Sequence, residues 1–385
     1  MPQCNETFDR IAGQLGNFTC RDAPAVIHLR NPFGLSNWTL PILELMMVTV
    51  AVAALWWAIR RLRRAGDPTN LVLWFGTTVY LLVIEPPLYF PDVFGIEDQV
   101  GVVFAHNAFT VQFLFERLPL YIVALYPAVM MLAYEIVRAL GVFRDRGIVV
   151  GAICVAFVHH CLYEVFDQLG PQLRWWAWNT GNPINHPFLA SVPMSSVVIF
   201  ATIGPLVTVL LAQLLVDRKV QRGKSFGAFS LVGRTLAVGA LVPAGVVVLS
   251  IPSSGGGWGG APPPPTAQGI VYAVELSIVT AIAAPILLRQ WRLARSGSPT
   301  GVELPNGFVR VFGPLYLGVL AALWVSALPQ YFGAVDGVTR DGTPIGNGWY
   351  AGASFVLAAL AVAAVAMPPK AARPQSVREH HLDRA

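Results

Sequence analysis

Charge is what this sequence has least of. Only 12% of its 385 residues are Asp, Glu, Lys or Arg, against about 25% in soluble domains. That is too little to coat a water-facing surface, and it excludes a soluble enzyme or a nucleic-acid binder as the primary reading. Lysine is nearly missing: three of the 26 basic residues (Lys219, Lys224, Lys370) are lysine and the rest are arginine. Four cysteines are too few for a disulfide scaffold. Cys4 and Cys20 share a polar N-terminal segment and can pair if it faces an oxidising compartment, whereas Cys154 and Cys161 lie in an apolar run as small hydrophobes. The chain does not open on a basic stretch followed by an apolar core, so no cleavable signal peptide is expected.

Hydrophobic residues make up 55% of the chain. Several apolar runs exceed about 18 residues, the length needed to cross ~30 Å of hydrocarbon. The expected fold is all-α: a polytopic transmembrane helical bundle of about nine spans, near 40–60, 70–90, 116–138, 147–169, 188–216, 226–251, 266–288, 307–327 and 350–367. Residues 1–39 form an extracytoplasmic segment, 40–367 the helical domain and 368–385 a disordered cytoplasmic tail. Alternate connections collect 18 basic residues on one side against five on the other. The positive-inside rule then predicts the N-terminus outside and the C-terminus in the cytoplasm of a plasma-membrane protein. The basic balance serves as an insertion signal and needs no polyanionic partner. The run from Pro252 to Pro265 is a glycine stretch followed by polyproline, suited to tethering two helices.

The fourth span holds the densest chemistry. His160 and Glu164 are four residues apart and Glu164 and Asp167 three apart, so they share a helical face. Central acidic residues cost ~2.5–3.5 kcal/mol each to insert, and such groups normally face a water-filled cavity or a partner. A hydrogen-bonded cluster clamping helices is the plainer alternative. More polar groups fall in the same outer zone. Glu85 precedes Pro86 and Pro87, which can break the second span locally; Glu116 and Arg117 are expected to open the third. His106 and Asn107 lie in one connection, and Arg174, Trp175, Trp176, Trp178, Asn179, Asn182, Asn185 and His186 in another. The tryptophans suit a belt at headgroup level or an aromatic wall for an apolar substrate, with Arg174 beside an anionic headgroup. No H-E-x-x-H, His-x-x-x-His or CxxC spacing is present, so neither a metal nor another cofactor is expected. Neighbouring carboxylates in a low-dielectric site do not ionise together, so one can act as acid while the other acts as base. Glu275, near mid-span elsewhere, is the other conspicuous carboxylate.

Glu164-x-x-Asp167-x-x-Gly170-Pro171, then Trp176-x-Trp178 and Val192-Pro193 at the next helix start, resembles the polytopic carotenoid-biosynthesis membrane family that includes carotenoid hydratases. An actinobacterial-type multi-pass membrane family sharing this stretch is the other candidate. The likeness covers about 45 residues, and three tryptophans with an Asn/His-rich run stand where that family tends to have Tyr-x-Tyr. The resemblance implies a lipid- or isoprenoid-facing site around Glu164 and Asp167. The concentration of titratable residues on the outer side points to a membrane-embedded enzyme with hydratase-like acid–base chemistry, in which Glu164 is general acid or base, Asp167 its partner and His160 an orienting group. Glu85, Trp176, Trp178, Asn179, His106 and Arg174 would bind an apolar, lipid-like substrate. A transporter or proton-coupled permease, and a structural protein of the envelope, are the competing classes.

Overall fold

A computed structural model describes residues 5–16, 23–254, 264–296 and 303–368. Cys4, Cys20, most of the Gly/Pro run and the C-terminal tail lie outside the described residues. Among the described residues nine helices are long and apolar enough to cross a membrane, by length and composition: α2 Thr39–Ala65, α3 Thr69–Tyr89, α4 Leu120–Ala139, α5 Val142–Asp167, α6 Ser196–Val220, α7 Ala228–Leu249, α8 Pro265–Arg295, α9 Gly307–Phe332 and α10 Gly348–Ala366. A short helix, α1 Glu6–Leu15, precedes them.

Helices α4 and α5 pack against each other at the centre of the bundle. Around them, α2 and α3 flank α4, and α6, α8 and α10 flank α5. In their most apolar stretches 83% of α4 and 72% of α5 is buried, but only 11% of α8. A helix apolar around its whole circumference yet largely outward-facing presents a surface unsuited to water.

Several boundaries differ from expectation for local reasons. Helix α4 starts at Leu120, because Leu114, Phe115 and Glu116 take positive φ and turn the chain. Glu116 and Arg117 therefore lie in a turn before the helix. Helix α6 starts at Ser196, well past residue 188, because β6 (Pro187–Leu189) pairs with β7 (Val192–Pro193) around Ala190, whose φ is 54°. Val192-Pro193 is thus a strand just ahead of the helix. Helix α5 begins at Val142 and kinks at Gly147, whose φ of 80° only glycine adopts readily. Helix α3 runs through Pro86 and Pro87 to Tyr89 without breaking. Near a C-terminal end the two missing amides cost little, since only the carbonyls of Leu82 and Val83 lose their usual donors.

One end of the bundle carries a small cap, where the strands among the described residues lie. Residues 5–16 and 23–38 fold into it. Asn5 caps α1 by accepting from the amides of Thr7 and Phe8. Phe8, Ile11, Ala12 and Leu15, at the spacing of one helical face, bury against Val102 and Ala105. Strand β2 (Phe104–His106) pairs antiparallel with β5 (Trp176–Trp178), placing His106 opposite Trp176 and Phe104 opposite Trp178. Strands β1 (His28–Leu29), β3 (Val111–Phe113) and β4 (Leu118–Pro119) form a second sheet. Arg117 stacks over Phe8 and Phe90, with guanidinium-to-ring distances of 3.8 and 4.5 Å. Burial draws its pKa down to about 10, against the opposing pull of Asp92 and Asp9.

Candidate functional site

The polar face of α5 docks on the start of α6, and α6 is not an ordinary helix there. Ser196–Ile203 and Gln213–Asp217 form π-helical turns, a geometry often found at functional sites. His159 donates from Nδ1 to the Ala201 carbonyl at 2.9 Å. His160 lies 3.2 Å from the Val197 carbonyl and 3.1 Å from Thr202 Oγ1 on its Nδ1 side. A carbonyl only accepts, so His160 is protonated at Nδ1, and Tyr350 of α10 donates to Nε2 at 2.7 Å. Ser196 Oγ donates to Asp167 Oδ2 at 2.7 Å.

The three α5 groups expected to act together divide between two environments. Glu164 is fully buried; its Oε2 accepts from Gln168 at 3.0 Å and its Oε1 lies 3.9 Å from His160 Nδ1. Gln168 in turn accepts from the Asn347 amide, tying Glu164 to the start of α10. Asp167 instead faces a chamber shared with Glu85, Tyr126, Tyr163, His106 and Trp176. The chamber's volume is about 30 Å³, room for a water or two at ~10–15 Å³ each. Glu85 Oε1 accepts from Tyr126 at 2.6 Å, and the Tyr89 hydroxyl lies 3.2 Å from His106 Nδ1. Four buried polar atoms on the lining residues have no protein partner: Glu85 Oε2, Asp167 Oδ1, Trp176 Nε1 and Trp178 Nε1. Two unpaired acceptors and two unpaired donors thus belong to residues lining one cavity, whereas buried polar groups are ordinarily satisfied.

Trp176 and Trp178 also line a vestibule of about 500 Å³ on the cap side, with Arg174, Thr180, Asp336 and Ser191. The two indoles therefore stand between the vestibule and the carboxylate chamber. Their exposure does not suit a headgroup belt: Trp176 is 3% exposed, and Trp175, fully buried, donates from Nε1 to Thr39 Oγ1 at 2.9 Å and stacks on Phe166. Arg174 sits at φ 58° and donates to the Asp341 carbonyl at 2.8 Å on the rim. The asparagines do structural work. Asn179 donates to the Val102 carbonyl at 2.8 Å, and Asn182 and Asn185 donate to those of Val100 and Val103. His186 is exposed. Burial holds the His106 imidazole neutral, lowering its pKa to about 3 against a small upward contribution from the Arg117 backbone.

Sequence reasoning passed over Tyr126, Tyr80 and Ser196, and noted Tyr163 only as part of a strip with His159 beside the acidic face. Single hydroxyls in apolar helices carry little signal alone; the useful cue was Tyr80, Tyr126 and Tyr163 recurring in three successive spans that flank the same carboxylates. Among the described residues no three His, Cys, Asp or Glu side chains are grouped to hold a metal ion. Glu275 stands apart on α8, with neither carboxyl oxygen hydrogen-bonded. No family model matches this chain, and no curated protein or solved structure does so either.

Proposed function

We propose that the chain is a multi-pass plasma-membrane protein, N-terminus outside and C-terminus in the cytoplasm, and that its outer half holds an acid–base site acting on an apolar, isoprenoid-like lipid. Nine apolar helices and the one-sided arginine distribution support the insertion and its direction. The observation that supports the chemistry is the chamber, a water-sized space walled by aromatic rings and lined by Asp167 and Glu85, each of which has one buried oxygen without a protein partner.

That combination suits addition of water across a carbon–carbon double bond. One carboxyl gives its proton to one alkene carbon. The water adds its oxygen to the neighbouring, electron-deficient carbon and surrenders a proton to the other carboxylate, so the sum is alkene plus water giving alcohol. The faces of Phe104, Trp176, Trp178 and Phe200 stabilise the intermediate positive charge as aromatic rings stabilise cations. The chamber holds the water, and the vestibule beyond the indoles receives the end of the substrate. Glu164 and His160, tied to Gln168 and Tyr350, position α5 against α10 rather than touch the reacting atoms. This reading agrees with the resemblance to carotenoid hydratases and transfers its acid–base pair to Asp167 and Glu85.

An untargeted lipid and pigment profile of cells with the gene deleted, restored, or restored as Asp167→Asn or Glu85→Gln tests it. The expected result is one apolar alkene that accumulates in the deletion and in both variants, and disappears on restoration together with the appearance of its hydrated product. Full clearance of that species by Asp167→Asn, or an unchanged profile on deletion, overturns it.

A further inference from the structure

The chamber is one end of a longer line of polar side chains. A second cavity of about 30 Å³ adjoins it, sharing Leu125, Tyr126, Tyr163 and Phe200, and reaches Tyr80, Thr77, His159 and Thr208. One helical turn beyond Met130 and Thr208 in its wall, Gln213 Nε2 donates to the Tyr134 hydroxyl at 3.1 Å. Beyond that pair, Asn70 donates to Glu135 at 2.6 Å, and Thr69 donates to Asp217 at 3.3 Å. The line follows the seam between α3, α4 and α6. From Glu85 to Asn70 along α3 it covers about 22 Å at 1.5 Å per residue, most of a ~30 Å hydrocarbon core.

Four oxygens along the seam are buried with no protein partner: Glu85 Oε2, Tyr80 Oη, Gln213 Oε1 and Asn70 Oδ1. Polar groups placed only to clamp helices satisfy one another. These instead leave a free oxygen at successive levels, as a file of waters requires, because each water needs two to four polar neighbours. Further hydroxyls able to donate and accept, those of Tyr126, Tyr134 and Thr208, lie along the same line, and such a chain passes protons by exchange of hydrogen bonds. The fixed cations nearest the line are already engaged: Arg138 is held by Glu135 and Glu303 at its far end, and Arg234 donates to the Leu215 carbonyl on the side of α6 that meets α7.

We infer that the α3–α4–α6 seam conducts protons between the Glu85–Asp167 chamber and the opposite end of the bundle near Asp217. The inference concerns proton movement alone and does not require the hydration chemistry. Purified full-length protein in liposomes, with a pH dye inside and a potassium diffusion potential set by valinomycin, reads it directly. Proton flux at least tenfold above protein-free liposomes is expected, falling at least tenfold in the shape-preserving variants Tyr80→Phe and Gln213→Met. Matched melting and elution profiles show that these variants fold. Flux no greater than in protein-free liposomes overturns the inference, and so does flux that both folded variants leave intact. Neither result bears on the lipid profile of Asp167→Asn cells, so the two readings fail separately.

Discussion

The two ends of this bundle bury carboxylates in opposite ways. At the arginine-rich end, Glu135 is fully buried and both oxygens are doubly engaged. Oε1 accepts from Asn70 at 2.6 Å and Arg138 at 2.9 Å; Oε2 accepts from Arg138 at 2.8 Å and Asn306 at 2.7 Å. Arg138 is shared with Glu303, which Arg61 also reaches. Burial alone would raise the Glu303 carboxyl, but Arg138's hydrogen bonds and charge bring it below its ordinary value. At the cap end Asp167 and Glu85 are equally inaccessible, yet each has one oxygen bonded and one free. Burial is common to both ends; saturation separates them. A saturated carboxylate is a fastener, whereas a half-saturated one has capacity left for a water or a substrate.

The sharpest way to break this contrast is to neutralise one carboxylate at each end. Asp167→Asn should lower conversion of the accumulating lipid by about 10²–10⁴-fold, the range for loss of a general acid or base, while the melting temperature in detergent stays near wild type. Glu135→Gln should do the reverse. It leaves Arg138 with a single exposed partner and should cost about 3 kcal/mol of stability, the low end for breaking a buried pair, with conversion per folded molecule unchanged. If both variants lost mainly stability, the chamber carboxylate would be another fastener.

A milder perturbation probes the wall rather than the acid. A Cβ at Gly170 would sit 1.9 Å from Trp176 Cη2, so Gly170→Ala must push that indole aside. An overpacking cost of about 1–3 kcal/mol is expected, with a shift in tryptophan emission and a change in which lipids are converted. Unchanged emission and selectivity would remove Trp176 from the boundary between vestibule and chamber.

The smallest effect expected is a pH dependence confined to the cap. The folded pKa of His106, about 3, lies below its ordinary 6.5, so the unfolded chain binds the proton more readily. Cap stability is therefore complete above about 6.5 and declines as the pH falls toward 3, by at most about 1.4 kcal/mol per unit. Hydrogen exchange of the β2 and β5 amides at pH 7 and 5 measures this, and His106→Gln should flatten the slope. A wild-type slope that survives His106→Gln would locate the titrating group elsewhere.

Much of the architecture was legible one residue at a time. Nine apolar segments, their approximate limits and the arginine asymmetry follow from composition and run length, because a helix satisfies its own backbone and needs only an apolar surface to be stable among other apolar groups. The polar load of α5 was legible too, since His160, Glu164 and Asp167 are costly residues in an apolar span. What could not be read was their division. Glu164 and Asp167 are three residues apart, yet the helices packed on either side of α5 send one to Gln168 and α10 and the other to the Glu85 chamber. The cap was hidden for a similar reason: short strands such as Phe104–His106 and Trp176–Trp178 lack a period of their own and exist because 70 residues of chain return to pair them. The sequence by itself determined which segments are helices and which residues are costly to bury. The tertiary structure alone decided which of those residues are satisfied and which are left facing a cavity, because a hydrogen-bond partner contributed by another helix has no fixed spacing along the chain.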